Sequence, residues 1–247
     1  MPDVLGYRAK LGVIIPSTNT VVEADYNRLA PPGVTVHTGR MYLERQALGS
    51  DADFEAVLGE IRRSLDVAVR DLLTCEPDYL VMGMSAETFW NGVEGNARFI
   101  ERLRARTSLE VSTGASACRA ALDALGVRRI AAFSPYQPVA DRQVERFFTE
   151  AGFDVVRITG LRCPTATAIA QVGPDELRRV LRQIDSSDAQ AIVQVGTNLS
   201  MVALANEAEG WLGKPVLAIN AVTLWHALRA RGITDRIAGA GRLLREL

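Results

Sequence analysis

The sequence predicts an α/β fold made of two similar halves, each built on a parallel sheet, with a small-molecule site between them. Three observations predict it. Short β-branched runs alternate with longer amphipathic stretches along all 247 residues, the pattern of strand–helix units that feed a parallel sheet. The second half of the chain repeats the plan of the first. The turns that follow the apolar runs are polar and of similar make in both halves.

Taken in order, the strand-like runs fall at 11–16, 34–38, 79–82, 109–112, 129–133, 154–158, 191–195 and 216–219. Between them, 52–75 and 174–186 place apolar residues at spacings of three and four, as a helix packed on one face requires. KLGVIIPSTNTVVEADYNRL reads strand, proline-containing polar loop, helix, and RRIAAFSPYQPVADRQVERF repeats it. DYLVMGMSAETF is matched by QAIVQVGTNLSM, and STGASACRAALDALGVRRIA by AINAVTLWHALRARGITDRIA. Three matches in one order indicate an internal duplication, although strand–helix units share some likeness in any protein. The expected halves are 1–112 plus 218–247 and 113–217, closely packed and exchanging terminal segments.

Composition narrows the function classes. With 48% hydrophobic residues the chain can bury a substantial core. Lys and Arg number 28 against 29 Asp and Glu, so no basic stripe marks a nucleic-acid partner. The chain opens without a signal-peptide pattern, and no apolar run approaches the ~20 residues that span a bilayer, so no membrane is expected and the expected location is cytoplasmic. Three cysteines without CxxC spacing and two histidines give little support to a disulfide framework or a metal site.

In open parallel sheets, ligands bind beyond the carboxyl ends of the strands, near helix N-termini. Four polar loops fall there: Pro16-Ser17-Thr18-Asn19, Gly83-Met84-Ser85, Ser134-Pro135-Tyr136 and Gly196-Thr197-Asn198. Thr113-Gly114 and Asn220 precede the third helix of each half. Glycine lets the backbone approach a ligand, and helix starts attract anions. Such a set suits a small carboxylate held by neutral donors. Ser, Thr and Asn are also ordinary helix N-caps, and each residue alone reads equally well that way.

These segments carry a resemblance. GVIIPSTNTVVEAD, ALGVRRIAAFSPY, VGTNL and NAVTLWHALR together resemble the aspartate/glutamate racemase superfamily, in particular its branch of maleate cis-trans isomerases and arylmalonate decarboxylases, over nearly the whole chain. The resemblance implies two pseudo-symmetric Rossmann-like halves with parallel sheets, no cofactor, and a small carboxylic acid bound between them. It places Asn19, Ser85, Tyr136 and the Gly196, Thr197 and Asn198 loop on the substrate carboxylate, with Ser17 and Met84 beside them. A homo-oligomer is compatible with it.

One departure matters. Isomerases and racemases of this family carry a cysteine in each of two glycine-type loops, and the decarboxylases keep the second as proton donor. On this sequence the resemblance sets Met84 and Gly196 at those positions, and neither can act as a thiolate. Of the cysteines present, Cys75 ends a helix on the far side of strand 79–82, and Cys118 reads as a small core residue. Cys163, in LRCPTATAIA, is the one thiol placed to approach the substrate.

Glu87 is the candidate proton carrier, two residues past the first site loop, with Phe89 and Trp90 placed to exclude water and raise its pKa. A glutamate at a helix start also simply complements the helix dipole. Tyr136 is the second catalytic candidate; Asp25 and Glu23 are weaker ones. His226 reads as a hydrogen-bonded structural residue on a packed helix, and His37 carries little signal.

The expectation is a cofactor-independent enzyme acting at the carbon next to a carboxylate of a small acid. Decarboxylation or another lyase step fits better than racemisation, which needs two opposed bases. A carboxylate-binding protein without catalysis, or an isomerase using groups other than thiols, is the alternative. The loops 39–53 and 160–172 are expected to shape access.

Overall fold

The computed structural model describes residues 3–44 and 46–247; residues 1 and 2, at the start of the first expected half, and 45, within the 39–53 loop, lie outside them. The chain forms two four-stranded sheets, both wholly parallel. The first holds β1 (Ala9–Pro16), β2 (Val34–Met41), β3 (Tyr79–Met82) and β4 (Val111–Ser112) in the order β2-β1-β3-β4. The second holds β5 (Arg129–Ser134), β6 (Asp154–Gly160), β7 (Ala191–Gln194) and β8 (Val216–Ala218) in the matching order β6-β5-β7-β8.

Position in the sheet explains the sequence of each strand. β3 and β7 are buried at every residue, and β5 at all but its first, because helices cover both faces of a central parallel strand; their runs are accordingly continuous and apolar. β2 and β6 lie at edges, are largely half-exposed, and carry the polar residues of VTVHTGRM and DVVRITG. The expected strand 216–219 ends one residue early because Ile219 opens a helix.

The helices of the first half are α1 (Val22–Leu29), α2 (Asp51–Leu73), the short α3 (Ala86–Phe89) and α4 (Gly92–Thr107). α5 (Gly114–Ala124), α6 (Pro138–Glu150), α7 (Pro174–Ile184), α8 (Val202–Leu212), α9 (Ile219–Ala230) and α10 (Arg242–Glu246) follow. α2 shows what fixes such a helix. Ser50 caps it by accepting from Asp53 N at 3.1 Å, worth about 1 kcal/mol. Phe54, Val57, Leu58, Ile61, Leu65, Ala68, Val69 and Leu72 form one buried stripe. At roughly 1.5–3 kcal/mol for each large side chain, the stripe outweighs the cap several-fold. Packing decides this element.

The halves meet along α5 and α9, which pack on each other, and along α6, which packs on α2, α3 and α4. Phe89 of α3 contacts Phe147 and Phe148 of α6, with ring centroids 5.2 and 5.6 Å apart. α9 also packs on β3 and β4, so we propose the division into 1–112 plus 218–247 and 113–217, with α9 carried back to the first sheet. In each sheet the order of connection switches from one side to the other between two parallel central strands, β1 and β3 or β5 and β7. The loops leaving those four strands therefore flank one crevice. Among the described residues no helix is long and apolar enough to cross a membrane.

Candidate active site

A cavity with about 520 Å³ of empty space, counted out to its mouth, lies where these four loops converge. Asn19, Met84, Ser85, Tyr136, Gly196, Thr197 and Asn198 all line it. The rest of its wall is mainly apolar: Leu43 and Leu48 from the loop after β2, Phe54, Val57, Leu58 and Ile61 from α2, and Ala166 and Ile169 from the segment after β6. Those two segments join over the cavity through an antiparallel bridge at Ala47 and Thr165, with Leu48 N donating to Pro164 O and Ala166 N to Gln46 O, both at 2.8 Å. The bridge closes a wall shared by both halves.

Side-chain bonding separates residues that build the site from those free to act in it. Asn19 accepts from Val21 and Val22 N at 3.0 Å, and its Nδ2 donates to Thr197 Oγ1 at 3.2 Å. Thr197 Oγ1 donates in turn to Gly83 O at 3.0 Å. Asn198 accepts from Thr20 N and donates to Ala166 O. The two Asn amides and the Thr197 hydroxyl thus lace the loops together across the halves, and Thr197 and Asn198 do so without capping α8.

Ser85 behaves differently. It precedes α3 yet makes no side-chain cap; its Oγ lies 2.6 Å from the Tyr136 hydroxyl of the other half. Two hydroxyls sharing one hydrogen bond use one of their two protons, so the second is available to a bound acceptor. Burial drives the Tyr136 pKa well above the usual phenol value, with the Ser85 bond partly opposing it, so the phenol keeps its proton. Among the described residues, Tyr136 is the one of an ordinarily titratable type that lines this wall; the described lining holds no Asp, Glu, His, Lys, Arg or Cys.

Two expected site residues are not brought to the cavity. Ser17 accepts from Leu43 N at 3.0 Å and fastens the loop after β2 rather than lining the wall. Glu87 is turned from the cavity to Arg62 of α2, whose Nε lies 2.9 and 3.0 Å from its two carboxylate oxygens. The expected aromatic enclosure of Glu87 gives way to this fork, with Trp90 under the Arg62 guanidinium at 6.0 Å.

The three thiols also lie off the wall. Cys118 is fully buried in α5, its pKa pushed up to about 12 by burial, and Cys163 is pushed up to about 11 by burial and by Glu176. Cys75 is half-buried and bonds Leu72 O. Gly196 has φ +107°, and a Cβ there would collide with the Pro135 ring. A side chain at 196 therefore needs the Ser134–Pro135–Tyr136 loop to move. His226, as expected, is structural: its Nδ1 lies 2.6 Å from buried Ser112 Oγ, which reaches the Tyr79 hydroxyl at 3.0 Å. Among the described residues, no group of three or more His, Cys, Asp or Glu is placed to hold a metal ion.

The sequence model of the arylmalonate decarboxylase family matches residues 11–244. Maleate isomerase of Pseudomonas putida is 25% identical over 95% of this chain and 96% of its own length. Arylmalonate decarboxylase of Bordetella bronchiseptica is 30% identical over 96% of each chain. Among solved structures, the Nocardia farcinica maleate cis-trans isomerase, as a cysteine-to-serine mutant with a covalently bound succinylcysteine intermediate, superposes with a TM-score of 0.87. That structure shares 21% identity and covers 96% of this chain and 98% of its own, which establishes the common fold.

Proposed function

Because the chain belongs to the arylmalonate decarboxylase family, we propose that it is a cofactor-independent enzyme that decarboxylates a small malonate-type acid bearing an apolar substituent. The observation that carries this reading is the division of the cavity wall: a hydroxyl pair and loop backbone on one side, eight apolar side chains from α2 and the two bridged segments on the other. The carboxylate that stays accepts a hydrogen bond from the free O–H of the Ser85–Tyr136 pair. The carboxylate that leaves faces the apolar wall, where a charge is poorly solvated and neutral CO₂ is favoured. Charge left on the α-carbon delocalises onto the retained carboxylate, and the Tyr136 phenol protonates that carbon. The phenolate then recovers a proton from water. In this scheme Glu87 supports α3 through Arg62 and moves no proton.

Isomerisation is the less supported chemistry. The isomerase that superposes here carries a covalent succinylcysteine, whereas no thiol stands in this cavity wall. Racemisation needs bases on both faces of the substrate, and the wall supplies one phenol.

The test is turnover on phenylmalonate, 2-alkylmalonates, maleate and aspartate, with CO₂ release, cis-trans conversion and loss of optical activity followed separately. CO₂ release from a substituted malonate is expected. It should persist near the original rate in Glu87→Gln and in a chain with Cys75, Cys118 and Cys163 all replaced by serine. It should fall by roughly 10²–10⁴-fold in Tyr136→Phe. Conversion of maleate alone, or activity abolished in a folded Cys163→Ser chain, contradicts the proposal. Thermal stabilisation by these acids without turnover would identify a binding protein instead.

A further inference from the structure

The chain fixes one site residue, Tyr136, from both of its peptide bonds. Its N–H donates to Ser134 Oγ at 3.0 Å, and that hydroxyl donates to Asp141 Oδ1 at 2.5 Å. Its carbonyl accepts from Arg162 Nη1 at 2.6 Å, and the same nitrogen reaches Asp141 Oδ2 at 2.5 Å. One carboxylate therefore closes a ring around residue 136 through a hydroxyl on one side and a guanidinium on the other. Asp141 is 5% exposed and Ser134 fully buried, so that side of the ring is shielded from competing water, whereas the Arg162 side chain, 43% exposed, closes the ring from its solvent side.

Two backbone features leave room for this junction. Arg162 has φ +57°, the left-handed region that residues with a side chain seldom adopt. At Gly160, a Cβ would collide with Arg162 Nη1, Asp141 Oδ2 and the Tyr136 carbonyl oxygen together. An aspartate also stands at the equivalent place in the first half. Asp25, fourth residue of α1 as Asp141 is of α6, accepts from Asn220 Nδ2, which also holds the Thr197 carbonyl. Both halves thus brace a site loop from the first turn of the helix that follows their leading strand.

We propose that Asp141, Arg162 and Ser134, with the space left by Gly160, are positioning residues that set the Tyr136 phenol against Ser85 and so tune the carboxylate site. Side chains in this ring do not touch the acid; they act through residue 136. The inference deepens the decarboxylase reading and rests on it only in taking the cavity as a carboxylate site, because the ring and the phenol position exist without a ligand. Preorganisation of this kind counts because a donor displaced by even about 1 Å loses most of its effect on a reacting group.

The test uses the full chain labelled with 3-fluorotyrosine at its five tyrosines, the ¹⁹F resonance of residue 136 being assigned through Tyr136→Phe. Arg162→Gly removes the guanidinium while suiting the positive φ, and Gly160→Ala displaces the junction without changing charge. Both should move or broaden the residue 136 resonance, leave the other four in place, and weaken phenylmalonate binding by roughly tenfold. A merely structural role would lower the melting temperature without singling out that resonance. An unmoved residue 136 resonance in folded Arg162→Gly and Gly160→Ala chains overturns the proposal. If the variants move it but phenylmalonate leaves it unchanged in the original chain, the ring stands and the acid reading fails.

Discussion

Ser85 and Tyr136 share one hydrogen bond across the two halves, so removing either hydroxyl leaves the other buried and short of a partner. Tyr136→Phe should lower stability by about 1 kcal/mol, the usual net worth of such a bond, and weaken phenylmalonate binding by roughly 10–100-fold, as for a lost bond to a charged group. Calorimetric titration checks the second figure, and unchanged affinity would remove Tyr136 from the carboxylate. Asp25 makes a separate prediction. Burial raises its pKa above the usual carboxylate value, against the Asn220 bond and Arg28. The folded chain thus holds that proton more tightly than the unfolded one, and stability is lost as pH rises through the folded-state pKa. Asp25→Asn, which keeps an acceptor for Asn220, should gain melting temperature relative to the original chain between about pH 4 and 7, and the gain should vanish at lower pH. A gain that does not depend on pH would refute this. Residue type and position made Ser85 and Tyr136 legible in the sequence, since polar residues past strand ends converge in this topology. The direction of Glu87 was not legible, because its partner Arg62 lies 25 positions away on another helix. Asp141 and Arg162 were missed for the same reason; the signal available was the aspartate common to VEAD and PVAD.

At the scale of elements, α2 supplies both the apolar wall and much of the core of the first half. Phe54 stacks edge-on against Tyr136 at 5.1 Å and faces Trp90 at 6.4 Å, so it joins the wall to the phenol. Phe54→Ala should cost about 3–5 kcal/mol in chemical denaturation and shift substrate preference toward bulkier substituents. A loss below about 1 kcal/mol would show that the site collapses around the missing ring. Central strands were readable as apolar runs because both of their faces are covered. Helix starts were less so: Asn220, expected in the turn before a helix, is the second residue of α9, and Thr113 alone of that pair of turns acts as a side-chain cap. Periodicity locates the body of a helix; its first turn depends on contacts made by distant loops.

For the whole molecule, the matching order of the two sheets accounts for a cavity between them: the loops leaving their central strands face each other, and Asn19, Thr197 and Gly83 tie them. The repeat was visible in sequence because the loops kept their glycines and hydroxyls in order. What divides the halves functionally was not visible, since one contributes Ser85 and the apolar helix and the other the phenol. In the proposed function a carboxylate sits against that hydroxyl pair with its apolar group on α2. A crystal structure with phenylmalonate tests it most directly. A carboxylate oxygen is expected within hydrogen-bond reach of Ser85 Oγ or Tyr136 Oη, and the phenyl ring against Phe54, Leu58 and Ile61. An acid bound on an outer face, or turned with both carboxylates away from the Ser85–Tyr136 pair, would contradict it.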